Sequence, residues 1–366
     1  MIVAQVIAVM AGTALVVWTL GSAVKTVVVP RAVITLLTRS HFVGIRKVFN
    51  LFAGPKRSFE TRDRFMALYA PVSLVALPGT WVIMVLGGFT SIFWGTGVRP
   101  FTEAFATSGS SLLTLGFDRP PGTFRIALGF VEAGIGLGLI SLMISYLPTI
   151  YGAFSRREAL VGMLEVRAGL PPSPTALLTR YARIGWLDRI DDDLFLRWES
   201  WFIDIEESHS SQPSLVFFRS PHPERSWITA AGCVLDTASI VNSTLDRRHN
   251  AACDIMIRSG FLALRRIADM FYIPYDPDPQ PTDPILVTRR EFDLMCVELT
   301  AAGVPLKKDR DQAWRDFSGW RVNYERVLLE LCALTIAPPA KWSSDRMDQL
   351  QLPRLRFRRR WRAGAG

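Results

Sequence analysis

Residues 101–118, FTEAFATSGSSLLTLGFD, are the stretch that decides the fold. They are too few and too polar to cross a bilayer, which takes about 20 apolar residues. Long apolar runs nevertheless lie on both sides of them. Because lipid cannot satisfy polar backbone groups, such a stretch must line water or lie inside protein. The pattern predicts a short helix over Thr102–Leu113 and a compact loop over Thr114–Asp118.

Three apolar runs are long enough to span a membrane: Ile2–Val29, Phe65–Trp94 and Gly122–Tyr151. The first has no basic start, which distinguishes it from a secretory signal peptide. Since strand-like alternation is scarce elsewhere, the predicted fold class is an all-α membrane protein. It has three transmembrane helices, a re-entrant pore helix with a filter loop, and an α-helical cytosolic domain.

Basic residues set the expected orientation. The segment Arg31–Arg64 and the pair Arg156-Arg157 are rich in cations, and cations collect on the cytoplasmic side of membrane proteins. We therefore expect an integral protein of the plasma (inner) membrane, with the N-terminus outside and the C-terminal domain in the cytoplasm. The mixture of cations and apolar residues over Arg31–Arg64 also predicts an amphipathic helix that contacts anionic lipid; a buried helix is the alternative.

A helix rich in Thr and Ser, then T-x-G-[YF], then an acid, with a span on each side, resembles the pore module of potassium channels. The resemblance covers roughly Arg64 to Arg157. It implies that four copies assemble and that loop carbonyls face a dehydrated cation. One feature departs from the family, because Asp118 follows Phe117 directly, where the family usually has a second Gly.

The resemblance implies a role for each part of the site. Carbonyls of the filter loop would bind the ion, Phe117 would pack as a spacer behind them, and Asp118 would place negative charge at the outer mouth. Gly residues of the third span would allow close packing or bending, and an acid there would brace the filter. The implied filter residues are Thr114, Leu115, Gly116, Phe117 and Asp118; the supporting residues are Thr107, Ser108, Ser110, Ser111 and Glu132; the hinge residues are Gly134, Gly136 and Gly138.

The implied function is a homotetrameric, potassium-selective cation channel, with potassium as the permeant ion and no cofactor. Two alternatives stay open: a non-selective cation channel, because of the missing Gly, and a non-conducting membrane-anchored sensor or scaffold. No nucleotide-binding or nucleophile motif is present, so we predict neither an enzyme nor a nucleic-acid partner. Single E-x-x-H (Glu206, His209) and His249/Cys253 spacings lack the further ligands that a metal site needs.

The expected organisation has six parts. They are an N-terminal transmembrane helix (1–30), a basic amphipathic cytoplasmic segment (31–64), the pore module (65–155), a linker (156–174), a cytosolic helical domain (175–340) and a basic tail (341–366). Within the cytosolic domain, Asp191 to Asp193 is predicted to cap a helix. The predicted helices there are Thr175–Arg183, Asp191–Ser208, Trp227–Thr244, Ala251–Met270, Thr288–Ala302 and Gln312–Leu334.

Overall fold

The computed structural model describes residues 2–29, 35–54 and 57–349, and those residues fold into helices without forming a strand. The chain divides into two compact units, Met1–Gly152 and Ala153–Gly366. The helices are α1 (Ile2–Val27), α2 (Leu36–Phe52), α3 (Phe59–Gly95), α4 (Phe101–Leu112), α5 (Thr123–Ala168), α6 (Pro174–Arg183), α7 (Leu196–Ser211), α8 (Trp227–Thr244), α9 (Ala251–Met270), α10 (Arg289–Ala301), α11 (Arg310–Arg321) and α12 (Glu325–Thr335).

Three of these helices, α1, α3 and α5, are long and apolar enough to cross a membrane, which confirms that the three expected apolar runs are helical. In the first unit, α1 packs antiparallel to α3 through small residues. A Cβ atom on Gly12 would lie 2.4 Å from the carbonyl oxygen of Gly88, and one on Gly95 would lie 2.7 Å from that of Gln5. Such close backbone approach replaces the hydrophobic effect as the source of helix association in lipid.

Helix α2 is the described part of the basic segment; residues 30–34 and 55–56 lie outside the described residues. The imidazole of His41 joins α2 to α3. Its Nε2 lies 2.8 Å from the Ser73 carbonyl oxygen, and its Nδ1 lies 2.8 Å from the Thr80 hydroxyl. Val48 and Leu51 are exposed, at 53% and 78%, and the cation Lys47 is exposed beside them. The helix is thus amphipathic, as expected of a segment at a membrane surface.

Helix α8 lies at the centre of the second unit. Every residue of this helix except Asn242 is buried. Its one acid, Asp236, is paired with the buried Arg321 and accepts a 2.8 Å hydrogen bond from the Tyr324 hydroxyl. Burial raises the pKa of Asp236, and the Arg321 guanidinium opposes that shift. Arg321 also donates to Glu325 at 2.7 Å, so the buried charges form a closed network.

Two predicted boundaries in the second unit differ from the structure. The linker predicted over 156–174 is helical as far as Ala168, and its Val161 and Leu164 belong to the core. The helix predicted over Gln312–Leu334 is divided into α11 and α12 by a turn at residues 322–324. The turn brings the Tyr324 hydroxyl to Asp236, which compensates for the interrupted helix.

The interpretation of Asp191 to Asp193 as a helix cap is wrong. The backbone over Asp191–Phe195 is a π-helical turn, and α7 begins only at Leu196, without a side-chain cap. Asp191 is paired with Arg247, and Asp193 with Arg167. These acids hold neighbouring segments together through ion pairs. The predicted basic tail lies outside the described residues from 350 onward.

Candidate functional site

Helix α4 packs against α3 and ends in a tightly turned loop. At its end the Leu115 amide donates to the Ser110 carbonyl at 2.9 Å, and the Thr114 amide donates to the Ser111 carbonyl at 3.1 Å. This pair of bonds is the Schellman arrangement that closes a helix C-terminus. The residue that must be left-handed in it is usually Gly, but here it is Thr114, with φ 55°. A β-branched residue in that region is strained, and strain of this kind concentrates at functional sites.

The sign of φ alternates along the loop. Thr114 and Gly116 have positive φ, at 55° and 71°, whereas the intervening Leu115 does not. The amide of Gly116, like that of Leu115, is directed at the Ser110 carbonyl, at 3.4 Å. In a trans peptide the C=O points opposite to the next N–H. The carbonyls of Leu113, Thr114 and Leu115 therefore point away from α4.

Asp118 ties the far end of the loop back to α4. Its side chain accepts a hydrogen bond from the Thr107 hydroxyl, and its amide donates to Ser110 Oγ at 3.0 Å. Its side chain is only partly exposed and is bonded to α4, whereas a ring of charge at an outer mouth was expected to be open to solvent. These two bonds fix the Asp118 end of the loop to α4, and the amides of Thr114 and Leu115 fix its start to the same helix.

Ser108 and Glu132 form a second layer behind α4. Glu132 of α5 is fully buried, and the Ser108 hydroxyl lies 2.5 Å from its Oε1 and 3.1 Å from the Leu86 carbonyl of α3. One hydroxyl thus joins α3, α4 and α5. Within the described residues Glu132 is hydrogen-bonded to Ser108 and not to the loop, so its hydrogen bonding reaches the loop only through α4.

The other implied site residues take different places. Ser111 contributes its carbonyl to the Thr114 amide, while its Oγ lies beside Gly129 of α5. Phe117 is 66% exposed, so within one chain it does not pack behind the loop as expected.

The three glycines implied as hinges are not equivalent. Gly136 faces α4 so closely that a Cβ atom would lie 2.1 Å from the Leu112 carbonyl oxygen. A Cβ on Gly134 or Gly138 would meet nothing within 4 Å. Gly136 is therefore required for packing at the end of α4, a role that its position in a Gly-rich run did not distinguish.

Two contributors to the site were missed in the sequence. The Leu86 carbonyl accepts from Ser108, and a backbone acceptor leaves no signature in a sequence. Arg125 of α5 donates to the Thr96 carbonyl, with Nε at 3.1 Å, and so joins the α3 end to the α5 start. The sequence did show an Arg shortly after the loop and beside an apolar run, which could have indicated a contact of this kind.

The spacings considered for metals have other partners. Glu206 is paired with Arg266, while His209 is buried and lies 3.3 Å from Arg157 Nη1. His249 lies 3.1 Å from Asp254. Among the described residues, no group of three or more His, Cys, Asp or Glu side chains is placed to hold a metal ion.

Comparisons with known proteins identify no relative. No family model matches the chain, and no curated protein and no solved structure matches it either. The resemblance to potassium channels therefore rests on the residues of the loop and its flanking helices alone.

Proposed function

We propose that this protein is a homotetrameric cation channel, selective for potassium, with a filter formed by residues 114–117 of four copies. Three helices that are long and apolar enough to cross a bilayer support its place in a membrane. In the proposed arrangement α4 and its loop re-enter the membrane between α3 and α5. The second unit lies in the cytoplasm, the N-terminus outside, and α2 contacts anionic lipid.

The observation that carries the proposal is the direction of the loop backbone. Its amides point toward α4, and the carbonyls of Leu113, Thr114 and Leu115 point away from it. Carbonyls arrayed in this way can replace the water around a cation. One copy presents them on one side only, and Leu115 is 61% exposed. Surrounding an ion requires further copies, and a closed ring of four meets that need.

The hydroxyls behind the loop support the same assignment. A filter must keep its carbonyls at fixed positions while ions pass, which requires bonds to a rigid element. Thr107 and Ser110 supply those bonds from α4, and Ser108 joins α4 to both neighbouring helices. In the proposed channel these bonds determine selectivity.

A non-selective cation channel is the second candidate, and one observation favours it. Asp118 follows Phe117 directly, so the second Gly of the family pattern is missing, either deleted or replaced by Asp118. A deletion would leave fewer carbonyl positions to replace the water of hydration, and Asp in place of Gly would resist the left-handed backbone that Gly adopts.

The test is ion flux into liposomes that contain the purified full-length protein, measured for potassium and for sodium. Gly116→Ala is the test variant, because Gly116 has φ 71° and Ala in that conformation costs about 1–2 kcal/mol. Gly79→Ala is the matched control, since a Cβ there meets nothing within 4 Å. We expect potassium-selective flux in the wild type and the control, and its loss in Gly116→Ala.

Other outcomes decide between the candidates. Equal flux of potassium and sodium, lost in Gly116→Ala, would establish the non-selective channel. Absence of flux of either ion would contradict a channel and favour the sensor or scaffold.

A further inference from the structure

Helix α10 of the second unit has two apolar faces. One is buried in the core and consists of Phe292, Met295, Cys296 and Leu299. The opposite face exposes Leu294 and Val297, at 52% and 66%, and Ala301 is exposed in line with them. A helix on the surface of a folded unit needs only one apolar face. We call Leu294, Val297 and Ala301 the outer stripe.

The charges on α10 separate into two groups. Arg289 is paired with Asp293 and Asp311, and Glu291 with Arg346. Arg290 and Glu298 are exposed beside the outer stripe, and within the described ranges neither forms an ion pair.

These two charges are placed symmetrically about Leu294. Arg290 precedes it by four residues and Glu298 follows it by four. Four residues span about 6 Å of helix and bring a side chain back to nearly the same face. If a second α10 packs antiparallel with its Leu294 opposite the first, each Arg290 lies opposite a Glu298. A two-fold contact requires this self-complementarity.

The surface beside the outer stripe has room for a partner. An open groove of about 500 Å³ runs along it, lined by Val297, Thr300, Ala301 and Arg310 among others. A facing helix could place apolar side chains there, as ridges fit into grooves between packed helices.

We propose that α10 packs antiparallel on α10 of a second copy of this chain, about a two-fold axis close to Leu294. The proposal rests on the proposed function for the number of copies, because four chains would then join as two pairs through their second units. The contact would bury the outer stripe and form two Arg290–Glu298 ion pairs between the copies.

Disulfide cross-linking of the full-length protein in liposomes tests this pairing. Leu294→Cys places two thiols at the two-fold axis, within the Cα separation of about 4.4–6.8 Å that a disulfide needs. The four native cysteines are buried and give little background. Ile255→Cys on α9 is the matched control, because Ile255 is similarly exposed, at 49%. With copper–phenanthroline as oxidant, we expect Leu294→Cys to form dimers at least about tenfold faster than the control.

A charge exchange gives an independent readout. In the Leu294→Cys background, Arg290→Glu places two acids opposite each other and should slow cross-linking several-fold. Adding Glu298→Arg exchanges the two signs, restores complementarity, and should restore the rate. A misfolded variant could not show this recovery, so the double variant controls for folding.

Three results would overturn the pairing. One is cross-linking at Leu294 no faster than at Ile255, and another is a charge exchange that does not restore the rate. The third is cross-linking that appears only after removal of residues 350–366, which would assign the outer stripe to that basic segment. Flux without cross-linking would refute the pairing but not the channel. Cross-linking without flux would refute the channel but not the pairing.

Discussion

Replacement of Thr107 by Val tests whether Asp118 braces the loop. Val keeps the shape of the buried Thr107 side chain but removes the hydroxyl that donates to the Asp118 carboxylate. A hydrogen bond to a charged group contributes about 1.5–3 kcal/mol. Since 1.4 kcal/mol corresponds to about a tenfold change, loss of about 2 kcal/mol shifts the balance from the tied to the released loop about 30-fold.

The expected result is a fall in the potassium-to-sodium permeability ratio by about an order of magnitude, since the tied loop is the selective one. The assay is the reversal potential with potassium on one side of the membrane and sodium on the other. Thr102→Val is the control, because Thr102 is exposed in the first turn of the same helix. Asp118→Asn should retain most of the selectivity, because its amide oxygen can still accept from Thr107.

The reasoning would be refuted by a Thr107→Val channel with wild-type selectivity. It would also be refuted if Thr102→Val lowered the potassium-to-sodium permeability ratio as much. The loss would then follow from removing any hydroxyl of α4. A large loss in Asp118→Asn with no loss in Thr107→Val would show that the charge of Asp118 matters and its bond does not.

Two further predictions concern packing and pH. Gly136→Ala should lower the melting temperature of the detergent-purified protein by several degrees, since its Cβ would meet the Leu112 carbonyl and overpacking costs about 1–3 kcal/mol; Gly134→Ala should have no such effect, and equal shifts would contradict the assigned contact. Burial and the neighbouring Arg157 hold the pKa of His209 well below its ordinary 6.5. Below about pH 6.5 the unfolded chain therefore binds a proton that the folded chain does not, and the second unit should lose up to about 1.4 kcal/mol of stability per pH unit. His209→Gln should flatten this dependence in urea unfolding followed by tryptophan fluorescence, and an unchanged slope would show that other groups cause it.

The sequence predicted the helices that carry clear terminal signals. The bounds expected for α8 and α9 agree with the structure, and Asn250 at the α9 start accepts from the Ala252 amide, as its residue type suggests. The third span was predicted to end at Tyr151 and to be followed by a linker from residue 156, which is too early for the end of α5. The helix continues through Pro148 as far as Ala168, and the next residue with positive φ is Gly169.

The candidate site was predictable in its parts and not in its bonds. The hydroxyls of α4 and the acids Asp118 and Glu132 follow from residue type and order. The pairing of hydroxyls with Asp118 depends on the turn at Thr114. Thr rarely adopts a left-handed backbone, so its residue type did not predict that turn. The break between α11 and α12 was missed for a similar reason, since residues 322–324 contain neither Gly nor Pro.

The packing of α1 on α3 has a consequence for how the chain is assembled in the bilayer. The helices approach closely at two places, Gly12 with Gly88 and Gln5 with Gly95. The two places are separated by seven residues along α1 and by seven residues along α3. Seven residues are about two helical turns, so both contacts lie on one face of each helix. Sliding α1 by a single turn would bring side chains to where only glycine fits. Helix α1 therefore has a single axial position relative to α3. A separate α1 peptide should bind to the rest of the chain in the same position.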